Sequence, residues 1–267
     1  MQICDVKKET IKQWLHDPCG YDRVREFSEQ SEEFYCDNDE KRYSGDSWLP
    51  AALQWDQYSG RKVLEVGFGM GTDLFQFASA GAEVSGVDLS PRHLELARRR
   101  FSFFGLGADL QRADAENMPF DDGTFDLVYS IGVVHHTPDT QQALDEIRRV
   151  LKPGGRAVIA VYHKHSAFFW CHIVLSNFLM KGRFLRESFR RTKSRIEYRS
   201  HSDACPIVKV YSRRKLRRML REFTATELDC RHLATSHFGN LAPFVSEESA
   251  RKLENRYGWY LIAKCTK

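Results

Sequence analysis

The hydrophobic pattern changes period several times in the middle of the chain. Val63-Leu64-Glu65-Val66 is apolar but for one acid, the run expected of a strand buried on both faces. Gly67-Phe68-Gly69-Met70-Gly71-Thr72-Asp73 follows, and its glycines permit a tight turn and a close backbone approach to a ligand. Leu74, Phe75, Phe77 and Ala78 then fall at helical spacings, with Gly81 as a stop just past the helix end. Ala82 to Val87 reads as a second strand that ends at Asp88. Ser90-Pro91 is an N-cap with proline at the first helical position, and Leu94, Ala97, Phe101 and Phe104 form the apolar stripe of the next helix. Arg92, Arg98, Arg99 and Arg100 lie largely off that stripe and are expected to form a solvated face.

The alternation of strands and helices continues. Asp109 to Ala113 is a third strand, and Phe125 to Tyr129 is a fourth that runs into Ser130-Ile131-Gly132-Val133-Val134-His135-His136. Thr140 caps a helix with Ala143, Leu144, Ile147 and Val150 inward, and Arg156 to Tyr162 is a fifth strand. Helices are expected at Lys215 to Leu220 and Ser246 to Tyr257, and two further strands at Phe223 to Leu233 and Trp259 to Lys264. Before the first strand, Ile11, Trp14 and Leu15 share a helical face that Pro18 and Gly20 end. A second helix is expected from Asp22 towards Tyr35, and a third from Leu49 to Tyr58. These elements make half of a nucleotide-binding sheet and more. Asp88 stands about twenty residues past the first glycine, where a ribose-binding carboxylate belongs.

The ligand is not a dinucleotide on this reading. A dinucleotide fingerprint wants its third Gly or Ala where Thr72 stands, and Gly71 comes one position early. Glu65 would repel a pyrophosphate and suits a positively charged ligand, such as the ammonium and sulfonium of S-adenosylmethionine. In Glu65, the glycine loop, Asp88, the Asp114-Ala115-Glu116-Asn117-Met118-Pro119-Phe120 block and the Val133-Val134-His135-His136 block, the chain resembles the class I S-adenosylmethionine-dependent methyltransferases. It resembles the widespread subfamily that includes the ubiquinone/menaquinone-biosynthesis type, closely so from about Arg61 to Ser166. The resemblance implies a Rossmann-like, seven-stranded, mostly parallel α/β sheet with helices on both faces. It implies a methyltransferase domain at 61–267 behind an N-terminal helical cap at 1–60; the lid-like helical insertion expected after strand five, at about 166–211, is not standard for the family. It further implies cofactor contacts from Glu65, Gly67, Phe68, Gly69, Gly71, Asp88, Leu89, Asp114, Ala115, Ser130 and Ile131, Asp114 facing the adenine amino group. Phe68 departs mildly from the family pattern, which favours a small residue or cysteine there.

Composition sets the surroundings. The 267 residues carry a net charge of +4 and seven cysteines at scattered positions, none in a Cys-x-x-Cys pair. The first residues are too polar for a secretory signal, so reduced thiols and a cytoplasmic setting are expected. The charge is uneven: residues 181–221 carry +12 and the rest −8. Just before them, Phe168 to Met180 is a mostly apolar run, too short to span a bilayer and suited to a buried or interfacial helix. An apolar helix beside a basic stretch suits a substrate lid with a solvated back, and peripheral contact with an anionic membrane is left open.

Four of the ten histidines, His135, His136, His163 and His165, lie at the ends of strands four and five. Ligands in such sheets sit beyond the carboxyl ends of the strands. Methyl transfer needs alignment of donor and acceptor, and an alcohol or amine acceptor must also lose a proton. His135, then His163 and His136, are therefore the candidate bases. No Cys or carboxylate stands at close ligand spacing to them, so no metal is expected. The reading is an enzyme that methylates an oxygen or nitrogen of a small molecule. Its rivals are a tRNA methyltransferase that holds phosphates with the basic segment, a membrane-surface enzyme with a lipid-like acceptor, and a non-catalytic binder of the same cofactor. The modest overall charge makes nucleic acid the weaker partner.

Overall fold

The computed structural model describes residues 3–24, 26–197 and 204–267, with side-chain surroundings from residue 6 onward. In chain order it contains α1 (Ile3–His16), α2 (Glu32–Gly45), α3 (Leu49–Leu53), β1 (Lys62–Val66), α4 (Thr72–Ser79), β2 (Glu83–Asp88), α5 (Pro91–Phe103) and β3 (Asp109–Arg112). There follow β4 (Phe125–Ile131), α6 (Thr140–Val150), β5 (Leu151–Tyr162), a π-helix (Phe168–Met180), α7 (Phe189–Ser194), α8 (Arg213–Met219), β6 (Ala225–Arg231), α9 (Glu247–Tyr257) and β7 (Tyr260–Thr266). The seven strands form one sheet in the order β3-β2-β1-β4-β5-β7-β6. All pairings are parallel except those of β7, which runs antiparallel between β5 and β6. The expected Rossmann-like sheet is thus the observed one.

The strand pattern explains the two layers of core. Successive residues of a strand point to opposite faces. Leu64 and Val66 join Val128 and the apolar stripe of α6 on one face. Val63 joins Leu127, Tyr129 and the inward residues of α4 and α5 on the other. Glu65 shares the face of Val63, which is why its carboxyl meets the Tyr129 hydroxyl inside the protein. Chain order reverses between β1 and β4, whose onward connections lead to opposite sides, and that crevice is where ligands bind in such sheets.

Several local expectations are corrected. The second helix begins at Glu32, because Ser31 caps the Phe34 amide; Tyr21–Arg23 is a single 3₁₀ turn. The third breaks at Gln54, which takes a left-handed conformation, and resumes as a 3₁₀ turn at Trp55–Tyr58. The cap of α6 is Asp139, leaving the Thr140 hydroxyl to donate to the Val134 carbonyl. Lys152–Gly155 loops out between two stretches of β5, so pairing jumps from Phe125 with Leu151 to Leu127 with Arg156.

The arginine face of α5 is solvated at Arg98 and Arg99 but not at Arg100. Arg100 is buried, paired with Asp39 of α2 and lying 4.4 Å above the Phe75 ring. Arg92 and Arg99 both reach Glu29. The N-terminal segment thus sits on this face, and α2 is tied to the start of α4 by Asn38–Thr72 (2.7 Å) and Arg42–Asp73 (2.8 Å) bonds.

Phe168–Met180 forms a helix, as expected, but of the π type, closed by the Lys181 amide donating to the Ser176 carbonyl five residues back. Phe169 and Ile173 pack on Tyr162, Val208 and Trp259, while Trp170, Leu179 and Met180 face outward. Residues 198–203 of the expected lid lie outside the described residues. Among the described residues, no helix is long and apolar enough to cross a membrane.

Gly86 of β2 tests the packing directly. A Cβ there would stand 2.6 Å from the Phe68 ring, 3.1 Å from Leu74 and 3.2 Å from Leu110. Gly86→Ala should therefore cost about 1–3 kcal/mol in urea denaturation. An unchanged midpoint would show that the Phe68 ring moves aside freely.

Candidate functional site

A cavity opens at the carboxyl ends of β1, β2, β3, β4 and β5 and is roofed by the N-terminal segment. Its floor is the loop after β1. Gly67 has φ 83°, and a Cβ there would come within 2.3 Å of Val133, so the loop and the β4 turn fit only around a glycine. Gly69 turns its amide onto Asp88, donating to Oδ2 at 3.0 Å. Gly71 does not line the cavity. It starts α4, where a Cβ would stand 3.2 Å from Ala97 of α5. The third glycine serves the packing of the two helices.

Asp88 collects three donors. Oδ1 accepts the Ser90 amide at 2.8 Å, and Oδ2 accepts both Gly69 and His93 Nδ1. The Cys19 amide donates to His93 Nε2 at 3.2 Å, so the proton of the neutral ring belongs on Nδ1 and points at the carboxylate. A carboxylate offers about four acceptor directions, and three are taken by the protein. Two ribose hydroxyls cannot both be accepted without one of these donors giving way.

The other end of the cavity holds a buried charge network. Glu65 accepts the Tyr129 hydroxyl at 2.9 Å. Burial, and then the neighbouring Asp73 charge, push its pKa well above the ordinary carboxylate range, against the opposing Tyr129 bond and Arg42. The Arg42 guanidinium donates to Asp73 at 2.8 Å and Asp46 at 3.1 Å. Tyr43 gives its hydroxyl to Asp73 at 3.1 Å. A cation entering here would meet a carboxyl that gains from losing its proton.

At the third strand end, Asp114 and Ala115 line the cavity, but Lys7 of α1 stands 2.5 Å from both Asp114 and Glu116. Leu89, Ile131 and the Phe68 backbone stretch line it as expected. Ser130 does not: its buried hydroxyl donates to the Val66 carbonyl between the strands.

The histidines divide sharply. The 3₁₀ turn Val134–His136 drives His135 inward, against the Tyr162 ring at 3.9 Å, and turns His136 towards the cavity. His135 is fully buried, and burial, then the nearby His136, hold it far below its ordinary pKa. His163 points away, its Nδ1 3.2 Å from the Gly258 carbonyl, and burial takes its pKa down to about 4. Neither lines the cavity, so His136 is the histidine of the three that a ligand meets. Beside it stand Trp14, Tyr162, Tyr260 and Glu197, with Tyr162 donating to Glu197 Oε1 at 2.8 Å.

The sequence reading missed Glu197, Tyr162, Arg42 and His93. Glu197 carried one faint signal, as an acid isolated in a basic stretch. Tyr162 directly precedes His163 at the end of β5. Arg42 and His93 had none, because each acts through a partner distant in sequence.

Comparison with known proteins places this geometry. Residues 64–159 match the family model described as a methyltransferase domain. Over 98 residues the chain is 35% identical to the sterol 4-C-methyltransferase strm-1 of Caenorhabditis elegans, 36% of this chain and 29% of that protein. It is 40% identical over 119 residues to the chloroplastic tocopherol O-methyltransferase of Arabidopsis thaliana, 43% of this chain and 32% of that one. It is 38% identical over 104 residues to the demethylmenaquinone methyltransferase of Clavibacter sepedonicus, 39% and 42% of the two chains. The matches thus span well under half the length of these curated relatives. A solved S-adenosylmethionine-dependent methyltransferase from Mesorhizobium loti superposes with TM-score 0.57 at 19% identity, covering 84% of this chain and 99% of that one. The [4+2]-cyclase SpnF superposes at 0.53 with 17% identity, covering 86% and 80%. A fold alone does not determine its chemistry.

His93→Leu removes both bonds that link Cys19 to Asp88. Hydrogen exchange should then quicken at residues 17–24 while the strands of the sheet keep their protection. Equal protection in variant and parent would show that the roof is held without this ring.

Proposed function

We infer, for a chain that carries a class I S-adenosylmethionine-dependent methyltransferase domain, that the protein binds this cofactor and transfers its methyl group to an oxygen or nitrogen of a small molecule. The observation that carries the reading is the pairing of a buried carboxyl, Glu65, with the Asp88-anchored glycine loop in one cavity. Asp88 takes the ribose and Asp114 the adenine edge. Glu65 faces the cationic methionine end, with Arg42 and Arg23 available to its carboxylate. The acceptor enters the aromatic chamber of Trp14, Tyr162 and Tyr260, where we assign the handling of its proton to the His136–Glu197 pair. The N-terminal segment and the insertion after β5 close the cavity against water.

The Glu65 environment makes the reading testable by pH. Its pKa in the free protein is raised, and a bound ammonium and sulfonium favour the ionised form. Binding therefore releases a proton, and affinity should rise with pH from the ordinary carboxylate value of 4.5 until Glu65 ionises unaided. Calorimetry with S-adenosylmethionine in buffers of different ionisation enthalpy should detect that proton, and Glu65→Gln should abolish both proton release and pH dependence. Tight binding of NAD, with no response to S-adenosylmethionine or S-adenosylhomocysteine, would overturn the proposal.

A second reading, of a lipid-like acceptor taken at a membrane surface, has its own observation. Leu185 is 78% exposed and Phe244 86%, with Trp170, Leu179, Met180 and Phe184 about half exposed. The π-helix meets the turn carrying Leu241 and Phe244 through Ser176–Asn240 and Met180–Asn240 contacts. Lys181, Arg186 and Arg190 stand exposed beside them. Apolar anchors rimmed by lysine and arginine suit an anionic lipid surface, and the names of several relatives specify lipid-soluble acceptors, among them a sterol and tocopherol. Phosphatidylcholine vesicles with phosphatidylglycerol should sediment the protein, and Leu185→Ser with Phe244→Ser should release it. Failure of the parent protein to sediment would discard this reading alone.

A further inference from the structure

We propose that His135, His136 and Glu197 form a binding site for a divalent transition-metal ion of the zinc class, at the acceptor end of the cavity. The inference deepens the reading of that chamber: the His136–Glu197 pair would handle the acceptor's proton by holding an ion that lowers its pKa, and the geometry is independent of the cofactor.

The argument begins with His136. Its Nδ1 lies 2.7 Å from the Ile207 carbonyl oxygen, which can only accept. Nδ1 therefore carries the proton of the neutral ring, and Nε2 presents its lone pair. That lone pair stands 3.7 Å from Glu197 Oε1. Two acceptors that face one another repel, and the distance exceeds that of a hydrogen bond. It suits two ligands of one ion. Bonds of about 2.0–2.2 Å in tetrahedral array set ligand atoms roughly 3.3–3.6 Å apart.

His135 supplies the second observation. Both of its ring nitrogens are buried and lack a hydrogen-bond partner among the described residues, as does His136 Nε2. An imidazole left bare inside a protein is costly. One nitrogen from each histidine and one Glu197 oxygen all lie within 4.8 Å of one another, so an ion between them needs only small side-chain shifts.

The surroundings match those of bound metals. A ligating histidine commonly gives its other ring N–H to a backbone carbonyl, as His136 does to Ile207. A ligating carboxylate is commonly hydrogen-bonded in turn, as Glu197 is by Tyr162. Two histidines and a carboxylate suit zinc or a similar ion and leave a coordination position free. His136 and Glu197 both border the cavity, so that position faces the chamber where the acceptor binds. An oxygen of the acceptor, or water, would complete the shell.

The 267-residue chain, stripped with a chelator and dialysed, should bind one equivalent of Zn²⁺ in calorimetry. Co²⁺ should give visible d–d absorption without a thiolate charge-transfer band. His136→Ala and the isosteric Glu197→Gln should each weaken binding at least about tenfold while the far-ultraviolet circular dichroism stays unchanged. Three results would overturn the proposal: no stoichiometric binding by the parent protein, equal affinity in the variants, or a thiolate band. A fold lost in His136→Ala leaves Glu197→Gln to decide. Metal binding is read without cofactor or acceptor, so failure of methyl transfer and failure of this site are separate outcomes.

Discussion

The carboxylate of Asp88 is the contact on which the site depends. It ends β2, accepts the amide of the glycine loop that follows β1, and accepts the Ser90 amide at the start of α5. Through His93 it also holds Cys19, and with it the roof of the cavity. Charge-assisted bonds of this kind are roughly twice as strong as neutral ones. One side chain thus sets the shape of the loop and the position of the N-terminal segment above it. The glycine-loop floor and the cover of the cavity are not independent parts.

A second constraint is the price of charge in a closed space. Glu65, Asp73 and Arg42 lie together behind the loop, with two tyrosine hydroxyls as donors. In a low local dielectric such groups interact strongly, and an unpaired one is costly. Burial and the neighbouring Asp73 raise the pKa of Glu65 against the Tyr129 bond and Arg42. This is an arrangement that favours an incoming cation over an anion, and it distinguishes the cavity from a pyrophosphate site.

The insertion after β5 shows how one segment serves two surroundings. Its inner side backs Tyr162 through Phe169 and Ile173, and its 3₁₀ turn delivers Glu197. Its outer side carries exposed Trp170, Leu185 and basic neighbours. The Ser176 hydroxyl, which donates to the Cys171 carbonyl and accepts the Asn240 amide, ties this π-helix to the turn that carries Leu241 and Phe244.

Much of the fold was determined locally and could be read from the chain. Buried parallel strands need apolar runs, and glycine loops, caps and stops are short-range signals, so β1 to β7 and α4 to α6 fall close to the expected places. Asp88 and Glu65 were legible because their spacing from Gly67 is set by the strand-turn-helix unit itself. What the tertiary structure decided was everything carried by distant partners. Arg100 of α5 looks like its solvated neighbours until α2 brings Asp39 onto it. Four histidines near two strand ends look equivalent until a 3₁₀ turn points His135 into the core and His136 at the cavity. Glu197 enters the site only because the chain returns after β5 to pass over Tyr162 and His136. Local periodicity records which face of an element is buried. It does not record which element, many residues away, will do the burying.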